Sequence, residues 1–358
     1  MKKLLTKDSV VNSCYFRTSV IPPYKKALIQ ITERCNLHCA HCFVSAGDYG
    51  SSMSLHNLEN VLMPFFIDAK VISVTLTGGE PFVHPDILEI VSLFSKNNIS
   101  VSICTNATLI EERQLKYLSK LNNVKINTSL DGFSAESHGK FRGNKDSFSL
   151  TINTIKSLSK YNLLNGFLVT PNTLANASEY VSLYEFAQKV RAKYVLINPC
   201  SRFGRGNKIQ GKLNSPNEVM NKIRESINLF DKKTEVVYVR FPNETLPLAF
   251  CEAGNIFYIF TNGDIAICPY LVFAAKNMNS KHKPEEFIIG NVFTDTDINR
   301  KLLDFKFQKK YNFGNNIYCN NCEINDICGK GCPAAIISSG NIIEEVDSDV
   351  CPKINSIK

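Results

Sequence analysis

Residues 27–241 alternate between two local patterns, and this alternation limits the fold to a few architectures. Short apolar runs typical of β-strands are each followed by a stretch with helical periodicity. Consecutive strand–helix units form parallel sheets with right-handed crossovers, and near-continuous apolar strands predict helices on both faces. We therefore expect an α/β fold, either a doubly wound sheet or an incomplete barrel. The six predicted strands cover residues 27–32, 71–77, 100–105, 124–130, 165–170 and 193–198.

The loops that follow these strands are expected to carry the functional site. In doubly wound sheets and in barrels alike, ligands bind at the carboxyl ends of the parallel strands. The polar and glycine-containing segments after the six strands should therefore meet at one edge. These segments are residues 33–43, 78–81, 106–108, 131–132, 171 and 199–206.

The strand–helix alternation stops near residue 241. Residues 257–260 and 265–268 flank an Asn262-Gly263 dipeptide, which predicts a β-hairpin. Short-spaced cysteines replace the helical periodicity after this point. We therefore predict an N-terminal segment over 1–26, a strand–helix domain over 27–241 and a cysteine-rich domain over 242–358.

The chain has 13 cysteines, an odd number in 358 residues. No apolar stretch of signal-peptide length opens the sequence, and no window approaches 18 apolar residues. We therefore expect a cytoplasmic protein without a membrane span, in which closely spaced cysteines bind metal rather than form disulfides.

The formal net charge is +8, and the basic residues are unevenly distributed. They concentrate in residues 1–26, 198–213 and 300–310. Such patches suit an acidic peptide, a phosphate or a nucleic acid, although a solvated surface is the more ordinary interpretation. Because the chain has no Trp and no basic motif interleaved with aromatic residues, a nucleic-acid partner is not expected.

The first cysteine cluster lies directly after the first predicted strand. Cys35, Cys39 and Cys42 form a C-x-x-x-C-x-x-C loop, so three thiolates converge on one metal centre. Three ligands to a four-iron cluster leave one iron open, and open metal positions are where chemistry occurs. The alternative is a zinc site completed by His38 or His41.

A second motif, Thr77-Gly78-Gly79-Glu80-Pro81, ends the second strand, and with the cysteine loop it resembles the radical S-adenosylmethionine (SAM) superfamily over residues 27–240. The resemblance implies a partial (β/α)6 TIM-like barrel. It further implies that Cys35, Cys39 and Cys42 hold a catalytic [4Fe–4S] cluster whose open iron binds SAM, and that Gly78, Gly79 and Glu80 receive the SAM amino group. The other cofactor-binding residues that it implies are His41, Phe43, Pro81, Asn106, Ser129, Asp131 and Arg142.

Several of these residues have an ordinary structural alternative. His41 stands where the family often has an aromatic residue near the adenine, and imidazole can also stack. Asn106, Ser129 and Asp131 lie at strand ends, where side chains commonly cap loops. Arg142, in a His138-x-x-x-Arg142-Gly143 stretch, is expected to pair with a carboxylate of SAM or of the substrate.

The second cysteine cluster extends from residue 251 to residue 351. Two structural zinc sites are one interpretation, because C-x-x-C spacing is generic. The complete pattern resembles the SPASM extension of radical SAM maturases, a small β-hairpin and helix domain, and implies two auxiliary [4Fe–4S] clusters. The implied ligands are Cys251, Cys268 and Cys332 for the first cluster, and Cys319, Cys322, Cys328 and Cys351 for the second.

Three cysteines and one ligand position stay unassigned. The first auxiliary cluster would have only three cysteines, which leaves an open iron, a non-cysteine ligand or a substrate thiolate as alternatives. Cys104 lies in an apolar strand and is predicted to be a small core residue. Cys14 has no assigned role, and Cys200 lies in a rim loop as a substrate contact or an incidental thiol.

The resemblance predicts an oxidoreductase that cleaves SAM to a 5′-deoxyadenosyl radical. The favoured substrate is a ribosomally made peptide, in which the enzyme installs an oxidative C–C, thioether or ether cross-link. A small-molecule enzyme of haem-variant, quinone-cofactor or aminoglycoside biosynthesis is the alternative, and a zinc-binding interaction protein is a third. Expected partners are the peptide, a flavodoxin or ferredoxin as electron donor and, because only 34 residues precede Cys35, a separate peptide-recognition protein.

Overall fold

The computed structural model describes residues 10–15, 20–231 and 233–355. Half of the predicted N-terminal segment 1–26, including three of its basic residues near the start, therefore lies outside the described residues. No helix within the described ranges is long and apolar enough to cross a membrane.

One ten-stranded sheet runs through the molecule in the order β10-β9-β8-β1-β2-β3-β4-β5-β6-β7. Strands β1 to β7 are parallel to their neighbours, and so is β8 to β1, whereas β9 and β10 are antiparallel. The strands are β1 Lys25–Thr32, β2 Val71–Gly78, β3 Ser100–Thr105, β4 Val124–Ser129, β5 Leu164–Val169, β6 Tyr194–Ile197, β7 Glu235–Tyr238, β8 Ile256–Ile259, β9 Asp264–Ala266 and β10 Ile288–Asn291.

Helices connect the strands and cover one face of the sheet. Two segments, Leu58–Leu62 and Ala135–Gly139, have π-helical geometry, and the first immediately precedes the helix that contains Pro64. The α-helices are Leu55–Asn57, Met63–Asp68, Ile87–Lys96, Glu112–Leu118, Ser147–Lys160, Ala177–Lys189, Asn217–Asn228, Pro269–Ala275, Ile298–Asp304, Phe307–Lys310, Ile317–Asn320, Pro333–Ser338 and Pro352–Asn355, and 3₁₀ turns span Pro81–Val83, Gly204–Ile209, Pro284–Phe287 and Asn325–Ile327.

The sheet curves around a cavity, which confirms the partial barrel. Side chains from β1 to β6 and from β8 line one cavity of about 310 Å³. In a flat sheet, seven neighbouring strands would span about 29 Å at the usual inter-strand spacing, too far to share so small a space. All six predicted strands are present, and β7 is a seventh parallel strand that was not predicted from the sequence.

Burial along the strands differs from the expected pattern. Alternate residues of β3 are buried, with Val101 and Ile103 packed in the core between sheet and helices, while Ser102 and Cys104 are only half-buried. The prediction of strands covered by helices on both faces was therefore wrong. The inner face of the sheet encloses the cavity, and the main core lies between the outer face and the helices.

The cysteine-rich C-terminal region continues the same sheet. The predicted hairpin is present as β8 and β9, and β8 pairs in parallel with β1 through residues such as Leu28 and Tyr258. A second apolar cluster around Tyr258, Phe273 and Ile337 packs this region against the barrel. The division near residue 242 stays a prediction.

Candidate active site

The cysteine loop after β1 folds back on itself at the carboxyl end of the barrel. The Cys35 amide donates to Gly47 O at 2.7 Å, and the Cys42 amide donates to Cys39 O at 3.3 Å. Cys35 and Cys39 are both buried in one small apolar cluster, against which Cys42 packs at its edge. The three thiols are near enough for their charges to interact, so the loop presents them as one group.

The loop after β2 packs directly against the cysteine loop. The Gly79 amide donates to Thr32 O at 2.8 Å, and the Glu80 amide donates to Arg34 O at 2.9 Å. A Cβ atom on Gly79 would lie 2.1 Å from Arg34 O, and one on Gly78, whose φ is +142°, would lie 2.1 Å from Thr32 O. Both positions therefore require glycine for the two loops to meet.

The Glu80 carboxylate is buried and binds three donors of the protein. It accepts hydrogen bonds from Thr105 Oγ1 and the Asn106 amide, both at 2.7 Å, and from the Phe82 amide at 3.1 Å. Burial raises the pKa of Glu80, although these hydrogen bonds oppose that shift. Asn106 in turn donates to Asn36 Oδ1 at 2.9 Å, so Glu80 and Asn106 connect the ends of β2 and β3 to the cysteine loop.

Asp131 and Arg142 form a buried ion pair beside the cysteines. Arg142 Nε lies 2.7 Å from Asp131 Oδ2, and Arg142 Nη1 lies 3.8 Å from Cys39 Sγ. Burial alone would lower the pKa of Arg142, but the Asp131 carboxylate outweighs burial and raises it above its usual value. A permanent positive charge therefore lies next to the thiol of Cys39, while the carboxylate partner of Arg142 belongs to the protein itself.

His41 lies flat against Phe141 in the wall of the cavity. The ring centroids are 4.4 Å apart and the planes differ by 6°. Burial lowers the pKa of His41 to about 4, so the ring is neutral near pH 7. Its Nδ1 atom is buried and has no hydrogen-bond partner among the described residues. One face of the ring is thus covered, and a polar edge is left unsatisfied.

The barrel cavity brings together some of the predicted cofactor-binding residues and leaves out others. His41, Phe43, Ser129 and Arg142 line it. The glycine loop and its buried Pro81 lie beneath the cysteine loop instead, together with Asn106 and Asp131. The SAM-binding roles of these residues stay predictions.

Two cysteines outside the clusters also line the cavity. The prediction of Cys104 as a core residue was wrong, because its half-buried side chain faces the cavity from β3. Cys200 lies on the rim, where burial raises its pKa to about 12 and Gln210 Nε2 lies 3.8 Å from its sulfur. Apolar strands of a barrel have an inner face, and periodicity alone does not tell which residues occupy it.

Arg205 holds the cysteine loop, a role that the sequence reading missed. Its Nε donates to Cys39 O at 2.8 Å, its Nη1 donates to Ala46 O at 2.7 Å, and its amide donates to Cys42 O at 3.0 Å. The preceding Gly204 has a positive φ and approaches the same loop. The sequence signal was a glycine-flanked arginine at a strand end, which was interpreted as part of a basic patch.

The C-terminal cysteines lie in two separate groups. Cys268 and Cys332 are buried in the second apolar cluster, Cys251 packs against it, and Cys14 joins them. The other group lies in a third cluster with Leu248, whose amide donates to Cys328 Sγ at 3.4 Å. It consists of Cys319, Cys322, Cys328 and Cys351.

Thiols are the donors that the cysteine loop and the two C-terminal groups have in common. Among residues 10–15, 20–231 and 233–355, no three His, Cys, Asp or Glu side chains are arranged to hold one metal ion. Iron–sulfur clusters are held by cysteine thiolates, so the chemistry of these donors fits such clusters.

Sequence similarity to known proteins covers the part of the chain that holds the cysteine loop. Residues 29–183 match the family model of the radical SAM superfamily. The antilisterial bacteriocin subtilosin biosynthesis protein AlbA of Bacillus subtilis is 29% identical over 86% of this chain, and the chain spans 66% of AlbA, less than two thirds of its length. The AdoMet-dependent heme synthase of Methanosarcina barkeri is 25% identical over 88% of this chain and 93% of its own length.

The fold similarity extends beyond the matched domain. The crystal structure of Streptococcus suis SuiB bound to precursor peptide SuiA covers 90% of this chain and 75% of that chain, with a TM-score of 0.65 and 17% identity. The shared fold therefore includes the cysteine-rich region as well as the barrel. Residues 29–183 of this chain form a radical SAM domain, and most of the chain shares the fold of SuiB.

Proposed function

We propose that the chain is a maturase that uses SAM radical chemistry to install an oxidative C–C, thioether or ether cross-link in a ribosomally made peptide. The observation that carries this proposal is the shape of the space beside the cysteine loop. A second cavity of about 250 Å³ shares Tyr15, Pro199 and Cys200 with the barrel cavity, so the two adjoin. Together they reach from the barrel strands to Ala335 and Ser348 of the C-terminal region, which suits a chain that passes from one to the other.

As a radical SAM protein, the chain uses a [4Fe–4S] cluster and SAM. When bound, these cofactors supply a 5′-deoxyadenosyl radical that removes a hydrogen atom from an unactivated C–H bond. Cys35, Cys39 and Cys42 would hold the cluster and leave one iron for SAM. Arg142 and Arg205 hold positive charge next to these cysteines, which compensates the negative charge of a thiolate-bound cluster.

Part of the wall of the barrel cavity is apolar and excludes water. Leu28, Leu168 and Leu196 supply this apolar surface, whereas the thiols of Cys104 and Cys200 are hydrogen-atom donors in the same wall. Exclusion of water and of stray hydrogen donors is the contribution that a protein makes to cofactor chemistry of this kind.

The two C-terminal cysteine groups support two auxiliary [4Fe–4S] clusters in this proposal. Formation of a cross-link removes two electrons and two hydrogens from the substrate. The radical takes one hydrogen atom, the second hydrogen leaves as a proton, and its electron needs an acceptor. Clusters in the C-terminal region, packed against the barrel by Phe43 and Tyr270 at 5.2 Å between ring centroids, are suitably placed acceptors.

The proposed radical chemistry requires an electron donor and a substrate as partners. Cleavage of SAM consumes one electron, so a donor such as flavodoxin or ferredoxin has to dock on the protein. The peptide itself binds in the adjoining cavities, and a separate peptide-recognition protein would deliver it. SuiB has been crystallised with a precursor peptide, which supports a peptide substrate for a protein of this fold.

A small-molecule substrate is the second candidate. It is favoured by the size of the barrel cavity, about 310 Å³, which is at the lower end of ordinary small-molecule pockets. The similarity to a heme synthase that the chain spans almost completely supports the same alternative.

The test is formation of 5′-deoxyadenosine by the anaerobically reconstituted full-length protein. The protein receives SAM and dithionite, with or without each peptide encoded by any short reading frame found beside its gene. We expect peptide to increase 5′-deoxyadenosine and to lose two mass units per cross-link. The Cys39→Ala variant should form none, while Tyr49→Phe, at a side chain that is 91% exposed, should match the wild type.

The outcome separates the two candidates. Product that is indifferent to peptide, together with an unchanged peptide mass, would reject the maturase and favour a small-molecule substrate. Equal product from the wild type and the Cys39→Ala variant would reject the catalytic role of the cysteine loop.

A further inference from the structure

The short N-terminal segment 10–15 is fixed to the C-terminal region by backbone hydrogen bonds. The Val11 amide donates to Pro247 O, and the Ala249 amide donates to Val11 O, each at 2.9 Å. The Arg240 amide, just after β7, donates to Asn12 O at 2.7 Å. These bonds set the position of the segment between the last barrel strand and the start of the cysteine-rich region.

This segment places one thiol inside the first C-terminal cysteine group. Cys14 is 2% exposed, and its Sγ lies 3.5 Å from Gly331 O, next to Cys332 in sequence. The thiols of Cys251 and Cys332 are both within hydrogen-bonding reach of Cys14. Cys332 also interacts with Cys268, so four thiols occupy one place in the fold.

We propose that Cys14 is the fourth thiolate ligand of the first auxiliary cluster, together with Cys251, Cys268 and Cys332. The assignment rests on the proposed function, because it presupposes that this cysteine group holds a cluster. It fills the position for which the sequence left an open iron, a non-cysteine ligand and a substrate thiolate as alternatives.

The surroundings of the four thiols favour a cluster over four ordinary core cysteines. Phe203, Ile256 and Ile337 belong to the same apolar cluster, so apolar side chains enclose the thiols. Cys14, Cys268 and Cys332 are buried and Cys251 is half-buried beside them, so four thiols meet at one place, as the ligands of one cluster do. In a [4Fe–4S] cluster each of the four sulfurs would bind its own iron.

With four protein ligands, the first auxiliary cluster would have an electron-transfer role. When each of the four irons carries one protein thiolate, no iron is open to a substrate sulfur, so the cluster transfers electrons instead of binding the peptide. Tyr15, next to Cys14, lines both the barrel cavity and its neighbour. The N-terminal segment thus connects the cluster with the space where the substrate is oxidised.

The experiment uses the full-length chain with Cys35→Ala, Cys39→Ala and Cys42→Ala, so that only C-terminal clusters contribute iron. This reference protein should bind about eight irons after anaerobic reconstitution, four for each cluster. Addition of Cys14→Ala should remove between about one and about four of them, and mild oxidation should then give a [3Fe–4S] EPR signal. Cys14→Asp, which retains a ligand, should keep the iron but change the EPR spectrum of the reduced cluster.

A matched control separates ligation from packing. Ser13 is fully buried on the same segment and donates to Ala249 O at 3.2 Å, so Ser13→Ala disturbs the segment without removing a thiol. It should leave both iron content and spectrum unchanged. Equal effects of Ser13→Ala and Cys14→Ala would overturn the proposal.

The remaining outcomes are also decisive. Full iron content and an unaltered spectrum in Cys14→Ala would overturn the assignment, and so would an unaltered spectrum in Cys14→Asp if the alanine variant does not fold. A reference protein that binds no iron would reject the auxiliary clusters themselves, and that failure appears before Cys14 is changed.

Discussion

Arg240→Met breaks the most deeply buried ion network that joins the barrel to the C-terminal region. Arg240 donates to Asp347 through Nε at 2.9 Å and through Nη2 at 2.6 Å, and these two side chains are 7% and 2% exposed. It also bonds Tyr15 Oη at 2.9 Å and Asp349 at 3.2 Å. The substitution leaves the Asp347 carboxylate buried without its cation, while methionine retains most of the apolar volume.

The size of the effect follows from this burial. Removing one partner of a buried ion pair costs about 3–5 kcal/mol, because the remaining charge stays desolvated. Cooperative unfolding of 358 residues has an entropy of about 0.75 kcal/mol per kelvin. The variant should therefore melt about 4–7 °C below the wild type.

The assay is thermal unfolding of the reconstituted full-length protein, followed anaerobically by far-UV circular dichroism at one scan rate. Arg113→Met is the matched control, since Arg113 and Glu111 are 80% and 58% exposed, and it should shift the midpoint by about 1 °C or less. Adding D347N to Arg240→Met should recover part of the loss, because it removes the unpaired charge. A shift for Arg240→Met no larger than that of Arg113→Met would refute the reasoning.

Three further variants test other parts of the site. Gly79→Ala should weaken SAM binding at least about tenfold in equilibrium dialysis, because its Cβ would lie 2.1 Å from Arg34 O; an unchanged Kd would contradict this. Glu80→Gln places a side-chain NH2 group against buried donors such as Thr105 Oγ1 and the Asn106 amide, and should lower the free energy of unfolding in denaturant by about 1–3 kcal/mol. An unchanged free energy of unfolding would show that those hydrogen bonds matter little. Burial lowers the pKa of His138 to about 3, so its contribution to stability is complete above pH 6.5 and is lost as the pH falls toward 3. His138→Asn should remove about 2 kcal/mol of the stability change between pH 6.5 and pH 5, and identical pH profiles would disprove it.

The strands were predictable because each one carries its own signal. Val101 and Ile103 of β3 alternate with small or polar residues, and the residues that form β3 were predicted without error. Strand β7 was missed because Glu235–Tyr238 has only four residues and one of them, Val237, is fully buried. The pairing of β8 with β1 joins residues that are more than 200 positions apart, and no local pattern encodes it.

The site was predictable where chemistry requires a spacing. The cysteine loop and the glycine pair are fixed by short motifs, and the structure brings them into contact. Cys14 and Arg205 were not found, because each acts through a contact with a distant segment. Asp131 and Arg142 were both expected at the site, but their mutual pairing depends on how two loops after β4 fold.

The parallel pairing of β8 with β1 affects how the chain folds during synthesis. Strand β1 leaves the ribosome before its partner β8, which lies about 220 residues later. At about 5–20 residues per second, the edge of β1 stays unpaired for roughly 10–45 s. An unpaired edge of this kind is a template for aggregation, so the nascent barrel needs protection until translation reaches β8.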